Sequence, residues 1–316
     1  MADQLNWLVI GIGDITTRRV IPAIQSEPRS NFYGVVTRDP AKAKPYPGVQ
    51  VWTELELALM DSAIDAVYVA TPVVMHGLHT VQSFKAGKHV LCEKPVARTY
   101  EEAVSMVAAA REAGRTLGIA YYRRMYPKVQ RAAELIQQGA IGQPVLAELR
   151  CHDWFDAPNG FRGWLLDPAM AGGGPLFDIA SHRIDLLNYW FGDPKRATGQ
   201  TSTVIHNKAA VEDSATVLVE YEGGVRGVVD VRWHSRVFRD EARIVGTEGA
   251  IELSPLNGPE LVSPAGTEHL PTHENIHYPC IENFVSAVID GDPLVSSGDS
   301  AILTDWVTGH VVLANR

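Results

Sequence analysis

A segment that opens with three glycines carries an acid and an imidazole four residues apart. It reads GGGPLFDIASHRIDLL (172–187), with Asp178, His182 and Asp185 set among isoleucines and leucines. On a helix of about 3.6 residues per turn, these three side chains fall within an arc of about 60°. A histidine with an ordinary pKa of about 6.5 can accept or donate a proton near neutral pH, and Asp178 would orient it or a substrate. The spacing indicates acid–base chemistry, with glycines that let the helix start approach its ligands; an acid stabilising the helix N-terminus is the structural alternative.

A lysine follows an apolar strand in GKHVLCEKPVA (87–97). Glu93 and Lys94 would stand at the carboxyl end of that strand, held by Pro95, and this is the edge where open parallel sheets bind ligands. An ammonium group fixed there can hydrogen-bond a reacting oxygen and favour its alkoxide-like form. A solvated surface lysine is the alternative, but the placement of Lys94 favours function.

The first predicted strand runs into GIGDITTRR (11–19), a partial match to the dinucleotide-binding pattern G-x-G-x-x-G. Two glycines fill the first two positions, where a tight turn and close approach to a pyrophosphate exclude a Cβ atom. Thr16 stands at the third position, where it could loosen the helix packing or donate its hydroxyl to a phosphate. We expect a nucleotide loop here, an ordinary strand-to-helix turn being the alternative. Its cofactor contacts would be Gly11, Gly13, Asp14 and Ile15.

The end of the second strand, GVVTRDP (34–40), bears on the choice of nucleotide. NAD sites usually place an acid there to bind the ribose hydroxyls, whereas this chain has Thr37 followed by Arg38. A small hydroxyl beside a guanidinium suits the 2′-phosphate of NADP. Asp39 would become the ribose acid if the strand ended one or two residues later. NADP is therefore expected, with NAD possible.

Strand and helix patterns alternate through the N-terminal part of the chain, which is typical of a doubly wound parallel sheet. The expected strands there are 7–10, 32–37, 49–52, 66–70, 89–92 and 116–120. Later strands have hairpin spacing, namely 214–221 with 225–233 and 241–245 with 250–253. We predict an α/β chain of two domains. An N-terminal Rossmann domain would cover 1–122, and an α+β domain for substrate binding and oligomerisation, with a large, mostly antiparallel open sheet, would cover 123–316.

Composition excludes several classes of protein. The 316 residues have a formal net charge of −9 and no basic stripe, which argues against nucleic-acid binding. We find no apolar run of about 18 residues and no basic region before a cleavage site, so neither a membrane span nor a signal peptide is expected. The three cysteines have no metal-ligand spacing, and we interpret them as reduced thiols of a cytoplasmic protein. The histidines also lack the spacing of metal ligands, so no metal site is expected.

Along essentially its whole length the chain resembles the glucose–fructose oxidoreductase and inositol dehydrogenase family (Gfo/Idh/MocA). The stretch 70–97 is similar to that family's T-P-x-x-x-H and G-K-H-V-x-x-E-K-P segments, 171–187 to its G-G-G-x-x-x-D-x-G-x-H-x-x-D element, and 244–253 to its hairpin. Ala180 departs from the usual glycine, which bears on local fit. The resemblance implies hydride transfer with His182 as proton acceptor or donor, Lys94 at the reacting oxygen and Asp178 as orienting group.

Less specific positions complete the expected site, and packing or capping competes with function at each of them. Further cofactor contacts are expected at Thr71, Pro72, His76, Glu93 and Lys94. Substrate contacts beyond the catalytic groups are expected at Tyr122, Arg124, Trp154, Trp164 and His277. Aromatic rings beside polar groups suit the apolar face and hydroxyls of a sugar.

These features predict a cytoplasmic NADP-dependent oxidoreductase that acts on a CH–OH group of a sugar, polyol or related cyclic compound. Two alternatives stay open: a non-catalytic nucleotide-binding sensor on the same fold, and a reductase of an imine or linear tetrapyrrole. A homodimer or homotetramer is also expected. Strands 214–221 and 225–233 carry apolar residues on both alternations, so a sheet covered by helices on one face would leave an apolar face to pair.

Overall fold

The computed structural model describes residues 3–156, 163–207 and 209–315, which form two compact units. The first unit runs through Ala97 and adds Glu101–Tyr122 and His273–Ala301. The second unit contains Arg98–Tyr100, Arg123–Thr272 and the chain from Ile302 onward. Among the described residues, no helix combines the length and hydropathy that crossing a membrane requires.

The first unit contains a six-stranded parallel sheet with strand order β3-β2-β1-β4-β5-β6, which confirms the doubly wound prediction. Its strands are β1 (Leu5–Ile10), β2 (Ser30–Val36), β3 (Gln50–Trp52), β4 (Ala66–Val69), β5 (His89–Cys92) and β6 (Leu117–Ile119). Helices α1 (Ile21–Ser26), α2 (Leu55–Leu59), α3 (His76–Lys85) and α4 (Tyr100–Ala113) lie between them in sequence. Every residue of the central strand β4 is buried, because parallel strands in such a sheet are covered on both faces.

The second unit contains an eight-stranded sheet with strand order β14-β13-β12-β11-β7-β10-β9-β8. Its strands are β7 (Pro144–Trp154), β8 (Arg196–Ser202), β9 (Ser214–Glu220), β10 (Arg226–Arg232), β11 (His234–Gly246), β12 (Ala250–Glu252), β13 (Glu260–Ser263) and β14 (Gly266–His269). All neighbouring strands are antiparallel except β7 and β10. The mostly antiparallel sheet and both predicted hairpins are therefore confirmed.

The remaining helices are α5 (Pro127–Gln137), α6 (Pro168–Ala171), α7 (Ser181–Phe191), α8 (Tyr278–Ile289) and α9 (Gly298–Ala314). Helix α8 belongs to the first unit, so the predicted range 123–316 is wrong as one continuous domain. The physical reason is packing: the Phe284 ring lies 5.3 Å from that of Trp7, and a Cβ atom at Gly118 would meet Phe284 at 2.9 Å. The Ile119 N–H also donates to the Ser296 carbonyl (3.0 Å). No local sequence pattern in residues 273–301 predicts that this segment belongs to the first unit.

The two faces of the second sheet differ sharply. Val217, Val219, Val229 and Val231 are buried on one face, where Leu187 of α7 packs on Gly227. On the other face, cross-strand rows run Arg243–Glu148–Val228–Leu218 and Glu241–Arg150–Asp230–Thr216. Ion pairs link Arg150 to Glu148 and Glu241 (2.9 and 3.7 Å), and Arg243 to Glu252 (3.2 Å). The expected apolar face is therefore wrong, because charged residues of β7 and β11 continue the rows that Leu218 and Val228 begin.

Candidate active site

The two glycines of the loop after β1 have different physical roles. Gly11 has φ +96°, and a Cβ atom there would lie 3.0 Å from the Ala70 carbonyl oxygen, so the fold itself requires glycine. Gly13 has no atom within 4 Å of its Cβ position and lies beside the exposed residues Asp14 and Ile15. The missing Cβ of Gly13 leaves an open cradle at the start of a helical segment, which fits the pyrophosphate of a dinucleotide.

Thr16, at the third position of the glycine pattern, is buried. Its hydroxyl accepts a hydrogen bond from the Gly13 N–H (2.8 Å) and donates to the Gly13 carbonyl (2.9 Å). A hydroxyl has one hydrogen, so this hydrogen is used inside the loop rather than on a phosphate. Thr16 then begins a π-helical turn (Thr16–Val20) that continues into α1.

The two residues after β2 that could contact the adenosine ribose, Arg38 and Asp39, differ in their surroundings. The strand ends at Val36, one residue earlier than expected, and the buried Thr37 donates its N–H to the Trp52 carbonyl (2.9 Å). Arg38 is exposed. The Asp39 carboxylate accepts the Ala41 N–H (3.0 Å) and thereby caps a short 3-10 turn. The arginine is thus available to a ligand, whereas the acid already has a structural partner.

Thr71 and Pro72 follow β4, and the buried ring of His76 links their turn to the one after β5. The His76 Nε2 atom lies 2.9 Å from the Thr71 carbonyl oxygen, and Nδ1 lies 2.9 Å from the Pro95 carbonyl oxygen. Burial lowers the pKa of His76, although the two carbonyls oppose this effect. With both ring nitrogens on backbone carbonyls, His76 fits the framework role that competed with a cofactor contact.

Glu93 and Lys94 follow β5, and a buried network surrounds the glutamate. The Tyr68 hydroxyl donates to Glu93 Oε1 (2.8 Å), and His277 Nε2 lies 3.5 Å from the same oxygen. Burial alone would raise the pKa of Glu93, but His277, Tyr68 and Lys94 together hold it below its ordinary value. Lys94 is half-buried, and its N–H donates to Glu93 Oε2 (3.3 Å). The lysine therefore extends from an anchored turn.

His277 is almost fully buried at the residue before α8. Its ring lies 4.6 Å from that of the half-buried Tyr122, with an interplanar angle of 36°. His277 was expected to contact substrate, but its position against Glu93 and Tyr122 makes it part of the network under the Lys94 turn. Tyr68, which the sequence did not single out, belongs to the same network.

The segment with Asp178 and His182 begins as a π-helical turn (Leu176–Ala180) that continues into α7. A π turn contains more residues than an α turn, so the angular spacing calculated for a regular helix does not hold here. Asp178 is half-buried, His182 is almost fully buried and Asp185 is fully buried. The three residues therefore do not form one stripe with equal access to solvent.

Arg124 lies in a buried ion pair with Asp185. Its Nε and Nη2 atoms donate to the two carboxylate oxygens (2.9 and 2.5 Å), and both side chains are at most 2% exposed. Burial raises the pKa of Asp185 to about 6, while the charge and hydrogen bonds of Arg124 act in the opposite direction. Arg124 was expected to contact substrate, but its guanidinium is paired with Asp185 inside the second unit.

The three glycines before the π turn pack against the protein's own side chains. A Cβ atom at Gly172 or Gly173 would meet the Phe177 ring at 2.9 or 2.5 Å, and one at Gly174 would meet the Glu212 carbonyl oxygen at 2.0 Å. The three glycines therefore have a packing role inside the protein, and their close approach to cofactor and substrate stays a prediction. Glu212 was not identified from the sequence, because it lies far along the chain from the helix it touches.

The tryptophans expected at a substrate surface have different surroundings. The Arg236 guanidinium lies 4.0 Å from the centre of the Trp154 ring, and the His206 ring lies 5.6 Å away. Trp164 is 38% exposed in a short 3-10 turn (Gly163–Leu166). Trp154 is thus already stacked with a cation, whereas Trp164 presents part of its ring to solvent.

Several candidate residues of the first unit follow carboxyl ends of neighbouring parallel strands. Gly11 and Gly13 follow β1, with Thr37 after β2, Thr71 after β4, and Lys94 after β5. In doubly wound sheets this edge, near the reversal of strand order, binds nucleotides. Across the described parts of the chain, no group of three or more His, Cys, Asp or Glu residues could hold a metal ion. The fold and this edge define a dinucleotide-binding protein.

Comparison with known proteins agrees with this class. Residues 5–121 match an oxidoreductase family model with an NAD-binding Rossmann fold, and residues 129–252 match the GFO/IDH/MocA C-terminal domain. A 1,5-anhydro-D-fructose reductase from Ensifer adhaerens is 31% identical over 90% of this chain and 88% of its own. The chain belongs to the Gfo/Idh/MocA family of oxidoreductases.

Two further relatives differ in the nucleotide that their names give. A D-xylose 1-dehydrogenase [NADP(+)] from Haloarcula marismortui is 26% identical over 80% of this chain and 73% of its own. The crystal structure of GenD2 from gentamicin A biosynthesis, in complex with NAD, is 27% identical with a TM-score of 0.85, covering 99% of this chain and 95% of its own. The family therefore includes both NAD and NADP proteins.

The contrast between the two glycines of the β1 loop predicts opposite phenotypes. Gly13→Ala should leave the melting temperature within a few degrees of wild type but weaken nucleotide binding at least tenfold, because its methyl group enters the open cradle. Gly11→Ala should lower the melting temperature, because alanine is strained at φ +96°. Thermal unfolding and nucleotide titration by calorimetry measure both effects. Unchanged nucleotide affinity in Gly13→Ala would contradict the assignment of the cradle.

Proposed function

We propose that the protein is an NADP(H)-dependent oxidoreductase acting on a carbinol or carbonyl carbon of a sugar, polyol or related cyclic compound. The observation that carries the proposal is the anchored turn of Lys94. Buried side chains hold both of its neighbours, His76 at the Pro95 carbonyl and Tyr68 at Glu93. Relatives named as a 1,5-anhydro-D-fructose reductase and a D-xylose dehydrogenase support the sugar class.

Three side chains divide the chemistry in this proposal. The nicotinamide, when bound, supplies or accepts the hydride. His182 takes the proton from the alcohol during oxidation and returns it to the carbonyl oxygen during reduction, which typically contributes roughly 100- to 10,000-fold. Lys94 hydrogen-bonds the same oxygen and stabilises its developing negative charge. Asp178 orients the substrate or the imidazole.

The preference for NADP rests on the turn after β2. The exposed guanidinium of Arg38 can form paired, charge-assisted bonds with a 2′-phosphate, and the small side chain of Thr37 leaves room for it. The competing acid, Asp39, accepts the Ala41 N–H instead. All three cysteines are buried and free of disulfides, which agrees with the reducing cytoplasm that we propose as the location.

The catalytic roles can be tested by replacing Lys94 with Met and His182 with Asn. Each change should lower kcat at least roughly a hundredfold while the Kd for NADPH stays within about threefold, because the lost groups act on the substrate oxygen. Turnover would be followed as NADPH oxidation or NADP reduction with 1,5-anhydro-D-fructose, D-xylose, levoglucosan and inositols.

Lys85→Met and His269→Asn are matched controls, because both residues are exposed and lie outside the candidate site. They should retain wild-type turnover. Near-wild-type kcat in either Lys94→Met or His182→Asn would remove that residue from the mechanism. A nucleotide-binding protein with no turnover on the whole panel would favour the sensor alternative.

The role of Arg38 predicts a selective loss. Arg38→Ala should weaken NADP binding by about 1.5–3 kcal/mol, which is roughly ten- to a hundredfold, while NAD binding hardly changes. Thr37→Asp should act more strongly, because its carboxylate would face the phosphate and could accept a bond from the ribose of NAD. Lys42→Ala, which removes an exposed positive charge from the following turn, is the control. If Arg38→Ala weakens both nucleotides equally, the phosphate contact is wrong.

A homodimer or homotetramer is also part of the proposal. The outward rows of the second sheet alternate in charge across β11 and β7, and one row includes the exposed Leu218; this pattern can complement itself across a two-fold axis. Light scattering at micromolar concentration should give a dimer or tetramer mass for the wild type and a smaller mass for Leu218→Arg. Leu57→Arg, at an exposed site in α2, should keep the wild-type mass. A wild-type monomer would contradict the proposal.

A further inference from the structure

Glu212 lies between β8 and β9, and its side chain reaches the start of the segment that carries Asp178 and His182. Its Oε1 atom accepts the Leu176 N–H (3.0 Å). The first N–H groups of a helical segment have no partner within the segment, and a carboxylate satisfies them well. The proposed chemistry gives Glu212 no role, yet the side chain is half-buried against the candidate site's own helix.

Gly173 and Gly174 leave the space that Glu212 occupies. A Cβ atom at Gly173 would lie 3.2 Å from Glu212 Oε2, and one at Gly174 would lie 2.0 Å from its carbonyl oxygen and 3.3 Å from its carboxyl carbon. Neither glycine has a positive φ, so conformational freedom does not explain them. Their lack of side chains gives the Glu212 backbone and carboxylate access to the π turn.

Close packing and hydrogen bonds connect Glu212 to the backbone of Asp178. Glu212 packs against Gly174, and the Gly174 carbonyl accepts the N–H groups of Phe177 and Asp178 (3.0 Å each). Asp178 lies four residues before His182 within the same helical run. A displacement of Gly174 would therefore move the backbone of Asp178 directly.

The main chain beside Glu212 is held in place by many hydrogen bonds. The neighbouring Asp213 carboxylate is almost fully buried and accepts the N–H groups of Val204, Ile205 and His206 at 2.7–3.0 Å. The Asp213 N–H donates to the Ser202 carbonyl at the end of β8 (3.0 Å), and the Asp213 carbonyl accepts the Trp233 N–H between β10 and β11 (2.9 Å). Glu212 thus extends from a fixed piece of main chain, which is the kind of support that precise catalytic groups need.

We propose that Glu212 is a positioning residue: its carboxylate fixes the π turn so that Asp178 and His182 take their working places. The expected effect of Glu212 on turnover rests on the proposed function. Its expected effect on the position of His182 does not. Burial raises the pKa of Glu212, and backbone hydrogen bonds oppose this. Because Oε1 accepts the Leu176 N–H (3.0 Å), this oxygen serves the main chain.

The test compares Glu212→Ala with Glu212→Gln, which keeps one acceptor oxygen for the Leu176 N–H. In Glu212→Ala, kcat should fall roughly ten- to a hundredfold, as for a lost charge-assisted bond, while the NADPH Kd stays within about twofold. Glu212→Gln should recover at least part of the lost kcat. Glu222→Ala, which removes an exposed glutamate from the β9–β10 turn, should behave as wild type.

A second measurement does not depend on turnover. Histidine-labelled protein should show imidazole resonances of His182, assigned with His182→Asn, that shift or broaden in Glu212→Ala, while those of the exposed His269 stay unchanged. Wild-type His182 resonances in Glu212→Ala would overturn the proposal, and so would an unchanged kcat. If the wild type turns over no substrate but the His182 resonances move, the proposed function fails and the positioning role stands.

Discussion

A buried carboxylate must be met by donors, and in this protein the donors come from distant parts of the chain. An ionised acid loses its hydration on burial and is stable only where N–H or O–H groups or positive charges replace the water. Glu93 accepts a bond from Tyr68 with His277 at 3.5 Å, Asp185 is paired with Arg124, and the half-buried Glu212 accepts the Leu176 N–H. Each of these bonds fixes a segment that carries a candidate functional group.

The consequence is that buried contacts hold the turns on which the candidate functional side chains lie. Lys94 follows Glu93, and the turn that contains both is also tied to the neighbouring turn through His76. The π turn that carries Asp178 is held by a carboxylate outside its own helix. Chemical groups placed on such supports need little reorganisation when charge develops on a substrate, which is the main electrostatic contribution that enzymes make.

The buried pair of Arg124 and Asp185 illustrates how burial changes the meaning of a charged residue. Such a pair adds little net stability, because desolvation offsets the attraction, but removing one partner typically costs about 3–5 kcal/mol. The Arg124 guanidinium makes two hydrogen bonds to Asp185 and is almost fully buried. The charge of Arg124 therefore stabilises the fold of the second unit. By contrast, the exposed Arg38 keeps a charge that a ligand can use.

The sequence by itself determined the architecture and the positions where chemistry is expected. Apolar runs separated by helical segments predicted the parallel sheet, and hairpin spacing predicted the strand pairs β9–β10 and β11–β12. The motif residues Gly11, Lys94 and His182 were identified because their spacing is local, and local spacing is encoded directly in the chain.

Tertiary structure alone decided which partner each side chain meets. The assignment of α8 to the first unit and the charged outward face of the second sheet both depend on residues far apart in sequence. The glycines at 172–174 show the limit most clearly, because local reasoning related them to a ligand whereas they accommodate Phe177 and Glu212. A pattern of residue types records which groups are present, but hydrogen bonds and close packing between distant segments arise only when the chain has folded.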